Sequence, residues 1–166
     1  MLLIEKMASS DALATETLVL TFEFRCKSRL RTRLENGEEV GLFLERGTVL
    51  RGGDLLEAND GRIVAVAAAI EAVMEARSRD ALLLARAAYH LGNRHVVVQL
   101  LPGRVRFARD HVLGEMLAGL DMEVIEAHAP FEPESGAYGG HGGHGHSADG
   151  EGRGARIHDM MRGGKP

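Results

Sequence analysis

Apolar and polar residues alternate along the first third of the chain. Leu18, Leu20, Phe22 and Phe24 interleave with Thr17, Val19, Thr21 and Glu23, the period-two pattern of a half-buried strand. Leu30, Thr32 and Leu34 repeat it, Glu35-Asn36-Gly37 supplies the positive-φ residues of a tight hairpin, and Val40 to Leu44 returns as the partner strand. Glu45-Arg46-Gly47 turns the chain again. Leu55-Leu56 and Ile63-Val64-Ala65-Val66, divided by Asn59-Asp60-Gly61, give two more short strands. Residues 1–70 therefore read as a small all-β domain. Its carboxylates and arginines alternate on what should be a solvated face, with no catalytic spacing.

From residue 71 the rhythm changes. Val73 to Ala76 is a short strand, and Ser78 or Asp80 can cap a helix in which Leu84, Ala87, Ala88 and Leu91 recur at helical spacing. Gly92 offers the left-handed conformation that closes a helix without a Cβ clash. Val96, Val97 and Val98 are β-branched and suit a strand from His95 to Leu101, which places His95 on the first strand residue. Pro102-Gly103 turns. Val105 to Ala108 is another strand, Asp110 caps a second helix carrying Leu113, Met116, Leu117 and Leu120, and Glu123 to Ala127 closes with a strand. The order βαββαβ predicts an α+β protein whose second domain, residues 71–134, is ferredoxin-like, with two helices on one face of an antiparallel sheet. The other sheet face is then free to meet a partner, most commonly a second copy.

Residues 135–166 are dominated by Gly, charge and His without apolar periodicity, so they predict a disordered tail. Within it His141, His144 and His146 are separated almost only by glycine, which lets several imidazoles turn toward one ion. An expression tag is an unbroken His run, whereas this segment is interspersed and internal, as a native metal-collecting tail would be.

Composition narrows the classes. At 166 residues with a formal charge of −4, the chain has no general pull toward nucleic acid. Its single cysteine, Cys26, rules out an internal disulfide or a thiolate cluster within one chain and fits a reducing compartment. The opening Leu2-Leu3-Ile4 is broken at once by Glu5 and Lys6, and Ile63 to Ile70 falls far short of the roughly 20 apolar residues that span a bilayer. No membrane association and a cytoplasmic location are the expectation. No His-Glu-x-x-His run appears and no carboxylate is obviously poised beside His95, so a metal hydrolase has little to build on.

The candidate chemistry is therefore imidazole, which suits nickel, copper and zinc. A lone histidine at a strand start is ordinarily structural, and His95 offers one nitrogen; a two-fold axis through the sheet domain would bring a second His95 to the same ion. His90, on the helix one turn after Arg86, and His111, next to the Asp110 cap, are weaker candidates open to structural readings. His128, between Ala127 and Ala129, reads as a buried structural residue and His158 as a solvated one.

The stretch Tyr89-His90-Leu91-Gly92-Asn93-Arg94-His95, followed by Val-Val-Val-Gln, resembles the Gly-Asn-Arg-His signature of the UreE family, the urease accessory proteins that carry nickel. Asp110-His111-Val112-Leu113 with Met116-Leu117 is similar to the family's second helix, although Arg109-Asp110-His111 stands where some members carry His-x-His. Ala129-Pro130-Phe131-Glu132-Pro133 with Gly136-Ala137-Tyr138 is similar to its exit segment, and Gly140 to His146 to its His-rich tail. The first domain is similar to the peptide-binding domain of J-domain co-chaperones, which implies a surface for a protein partner. The resemblance implies a homodimeric nickel metallochaperone, not an enzyme, that delivers Ni²⁺ for urease assembly. It makes His95 a ligand, and its implied partners are the urease accessory GTPase, other accessory proteins and apo-urease. A broad Zn²⁺ or Cu²⁺ buffer without a urease role is the alternative reading of the same histidines.

Overall fold

The computed structural model describes residues 2–136. Among them the first sheet is built from β1 (Leu2–Met7), β2 (Glu16–Leu20), β3 (Arg29–Arg33), β4 (Glu39–Phe43), β5 (Leu55–Ala58) and β6 (Ile63–Ala68), in the order β2-β6-β5-β1-β4-β3. β1 runs parallel to β4 and β2 parallel to β6, while the remaining pairs are antiparallel. Alternate inward residues make its core: Ile4, Leu18, Val40, Leu42, Leu56 and Val64 are all fully buried. Gly37 closes the β3–β4 hairpin at φ 89° and Gly61 closes β5–β6 at φ 87°, both at positions where a Cβ would strain the backbone.

Two features depart from the expected strands. The opening Leu2-Leu3-Ile4 is a strand in its own right, with Leu2 and Ile4 pointing into the core. Phe22 and Phe24 do not continue β2; Phe22–Arg25 forms a single helical turn, α1. Tertiary partners override the alternation here. The Phe22 N–H donates to the Glu71 carboxylate at 2.6 Å, and Arg25 turns inward, fully buried, to reach the carbonyls of Leu50 and Phe131 and, at 2.8 Å, Glu132.

The second sheet comprises β7 (Ile70–Arg77), β8 (Val98–Leu101), β9 (Arg104–Ala108) and β10 (Glu123–Pro130), in the fully antiparallel order β10-β7-β9-β8. Helices α2 (Ala81–Gly92) and α3 (His111–Ala118) connect β7 to β8 and β9 to β10. Asp80 and Asp110 are the N-caps, their carboxylates accepting from the N–H of Leu82 at 2.8 Å and Leu113 at 3.0 Å. Met74, Ala76, Val105 and Phe107 pack against Ala87, Leu91 and Leu117 of the helices. α3 comes in so close at Gly114 that a Cβ there would stand 2.5 Å from the Met74 terminal methyl. No described helix is long and apolar enough to cross a membrane.

The opposite face of this sheet is not free. Gln99, Arg106 and Glu75 lie side by side across β8, β9 and β7. Arg106 donates twice to Glu75 Oε1, at 2.7 and 3.0 Å, and Arg77 donates to Oε2 at 2.6 Å. Glu75 is only 2% exposed and Arg106 9%. The segment after β10 folds across: Arg106 reaches the Pro130 carbonyl, the Glu132 N–H donates to Gln99, and the Glu134 N–H to the Val98 carbonyl. Glu132 and Pro133 are held in turn by Arg51, and the Gly52 N–H donates to Glu132 at 2.8 Å. Phe131, 2% exposed, meets Phe22 edge-on at 5.6 Å. Phe131 to Pro133 thus stitches the first sheet to the second.

Candidate metal centre

Helix α2 ends in a way its sequence does not announce. Gly92 stays helical; the left-handed residue is His95, at φ 56°. The Val96 N–H returns to the Leu91 carbonyl at 3.1 Å and the His95 N–H to the Gly92 carbonyl at 2.9 Å. Those two bonds make the paired six-to-one and five-to-two closure of a helix C-terminus, with His95 in the place glycine usually takes. Val96 then packs back on the core beside buried Leu91, so β8 begins only at Val98 and His95 stands on the turn, not on the strand. A left-handed conformation costs an L-residue about 1–2 kcal/mol, although histidine tolerates it better than most. The imidazole is exposed and makes no hydrogen bond, ion pair or ring contact among the described residues.

α3 ends in the same closure. The Met122 N–H returns to the Leu117 carbonyl and Asp121 to Ala118, with Asp121 at φ 63°. The two helices thus carry matching caps at both ends, aspartate at the start and a left-handed residue after the last turn.

The other candidate histidines are dispersed. His90 is half-buried on α2, its ring edge-on to Tyr89 at 5.4 Å, while its carbonyl accepts from Arg94 at 3.0 Å. His111 opens α3 with two thirds of its side chain exposed. Its Nδ1 lies 3.7 Å from Glu126 and its Nε2 3.5 Å from the Arg109 guanidinium, which itself holds Glu126 at 3.2 Å. That fixed cation beside Nε2 opposes a divalent ion on the same nitrogen. His128 is exposed on edge strand β10, opposite Ala72, because the alternation along the strand turns it outward; its expected burial is not found. His141, His144, His146 and His158 lie outside the described residues. Among the described residues no three His, Cys, Asp or Glu side chains converge on a point that could hold a metal. Sequence reading missed the Arg109–Glu126 pair around His111, which strand register alone would not reveal.

A solitary imidazole turned to solvent on a left-handed turn, with no partner among the described residues, is a side chain the fold presents outward instead of using. Comparison with known proteins gives the chain a family. The profile of the UreE urease accessory protein N-terminal domain matches residues 4–69, and that of its C-terminal domain residues 71–160. The chain is 54% identical over 140 residues to the urease accessory protein UreE of Alkalilimnicola ehrlichii, covering 84% of this chain and 86% of the relative. It is 52% identical over 143 residues to that of Burkholderia orbicola, covering 86% and 70%, and 54% identical over 136 residues to that of Dechloromonas aromatica, covering 79% and 78%. The chain belongs to the UreE urease accessory protein family.

Proposed function

We propose that this protein is a nickel metallochaperone of urease maturation, binding Ni²⁺ through histidine and delivering it for assembly of the urease active site. The observation that carries the reading is His95: exposed, unpartnered among the described residues, and kept in a left-handed conformation that glycine would occupy without strain. Strain of this kind is retained where function needs the side chain. One imidazole is too few for a tight site, so the ion is shared by His95 of two copies in a homodimer. Tyr89 and Val97, 64% and 48% exposed on either side of the turn, supply apolar surface for that contact. The βαββαβ unit of residues 71–134 is the ferredoxin-like metal-binding and dimerisation domain, and residues 1–70 are a β domain that meets protein partners. His141, His144 and His146 of the 135–166 tail collect ions, with His90 and, through the Nδ1 that faces Glu126 and not the Nε2 beside Arg109, His111 as secondary ligands.

Affinity alone cannot select nickel at imidazole, since the intrinsic order places Cu²⁺ above it, and Cu²⁺ and Zn²⁺ both bind as competitors. Selection comes from docking with the accessory GTPase, other accessory proteins and apo-urease in the cytoplasm. The protein hands nickel over and catalyses no reaction itself. The test is His95→Ala: titration should show loss of the shared ion while tail histidines still take up metal, and urease activation in a reconstituted assay should collapse. Normal activation by that variant would sink the assignment.

A further inference from the structure

β3 is an edge strand of the first sheet, bonded among the described strands only to β4. At its start lies a cavity of about 380 Å³ lined by Cys26, Lys27, Ser28, Arg29, Leu44 and Arg46. Three of those six residues are cationic, in a chain whose net charge is −4. Farther along β3, Arg31 and Arg33 are satisfied at 2.8 Å each by Glu39 of β4, the ordinary way an edge is blunted with charge. Arg29 and Arg46 differ. Both are exposed, and among the described residues neither guanidinium, nor the Ser28 hydroxyl between them, has a hydrogen-bond or ion-pair partner. Lys27 is tied only to Glu23 at 2.9 Å, an exposed pair of little strength.

Apolar surface adjoins the cations. Phe43 is the cross-strand partner of Arg29 and is 47% exposed; Phe24, 41% exposed, lies under the Lys27 ammonium at 4.6 Å. Guanidinium groups take carboxylates in paired hydrogen bonds, and an open strand edge takes an extended backbone. We propose that this cavity and the β3 edge dock an extended acidic segment of a partner protein, its carboxylates on Arg29 and Arg46 and an apolar side chain against Phe43 and Phe24. The site is independent of His95 and of nickel.

Cys26, the only cysteine, lines the cavity and reports on it. The test uses the full chain and a fluorescent peptide, Glu-Thr-Glu-Thr-Phe-Thr, whose carboxylates and ring share one face of an extended chain, beside an analogue with lysine for each glutamate. The acidic peptide should bind saturably, slow the alkylation of Cys26 by iodoacetamide, and bind more weakly as salt is raised. Arg29→Glu combined with Arg46→Glu should weaken it about tenfold or more with an unchanged melting temperature, since neither side chain is used by the fold. Arg79→Glu, an exposed charge on the other domain, should leave binding intact, as should His95→Ala. Absence of saturable binding, equal binding of the lysine analogue, an equal loss in Arg79→Glu, or no protection of Cys26 each overturns the proposal.

Discussion

If the strain at His95 is retained for its imidazole, glycine should relieve it. His95→Gly removes the left-handed penalty of about 1–2 kcal/mol, offset by roughly 0.5–1 kcal/mol of extra backbone entropy in the unfolded chain. The exposed ring has no partner to lose among the described residues, so the net gain is about 0.5–1 kcal/mol, or roughly 2–4 °C in the apo melting temperature for a unit of this size. His95→Ala keeps the strain and should change apo stability by less than about 0.5 kcal/mol. Asp121 offers an internal control, since it occupies the equivalent place after α3 at φ 63°. Asp121→Gly should stabilise by a similar amount and leave nickel transfer intact, whereas both His95 variants should lose transfer. Thermal melts of metal-free protein, set beside urease activation, read both quantities. A lower melting temperature for His95→Gly would show that the ring holds the fold. A stabilised His95→Gly that still activates urease would show that the strain serves something other than a ligand.

Glu75→Gln should destabilise the protein by about 3–5 kcal/mol in chemical denaturation at neutral pH, because it leaves buried Arg106 without its counter-charge. Burial pushes the Glu75 carboxyl up, but hydrogen bonds from Arg77 and Arg106, with Arg104 nearby, outweigh it and hold the group below its ordinary value. Its contribution is thus fully present above the unfolded carboxyl pKa of about 4.3 and is lost as pH falls through the lower folded value; the variant should lose less stability than wild type between about pH 4 and pH 2. Glu132→Ala should cost about 2–4 kcal/mol by stranding the buried Arg25 charge, and proteolysis in the Phe131–Pro133 stretch should become faster. Cutting the chain after Tyr138 should lower the number of nickel ions bound yet leave the His95 ion in titration; a truncated chain that binds none would refute a division between fixed site and collector.

Much of the fold was legible where one short-range rule decides the outcome. Asp80 and Asp110 cap helices because a carboxylate has backbone N–H groups to accept from, and Gly37, Gly47 and Gly61 turn the chain because they alone can take positive φ cheaply. The same rule misled at α2. Gly92 invites the left-handed position, and the β-branched run Val96 to Val98 predicts a strand from His95; the hydrogen bond from Val96 to Leu91 decides otherwise. Phe22 and Phe24 alternated correctly for a strand, but Glu71, 49 residues away, captures the Phe22 N–H. Glu75 looked like any charged strand residue. Its burial depends on Arg77, Arg104 and Arg106, whose convergence only the register of three strands reveals. The exposure of His95 follows from its place beside a turn, but its left-handed backbone is not legible in the sequence.

The Phe131–Pro133 stitch bears on how fast an ion can leave. A protein that traps its cargo between two lobes releases it by swinging them apart, and its off-rate is that of the hinge. Here Arg25 of α1 and the loop residues Arg51 and Gly52 grip the Glu132 carboxylate, while Gln99 of the second sheet accepts from the Glu132 N–H and Arg106 donates to the Pro130 carbonyl. Opening that seam would strand a buried guanidinium, and His95 already faces outward. With His95 as the ligand, transfer would need no hinge: an incoming donor could displace the outward-facing imidazole directly, and the rate would rise with acceptor concentration instead of saturating at a conformational limit.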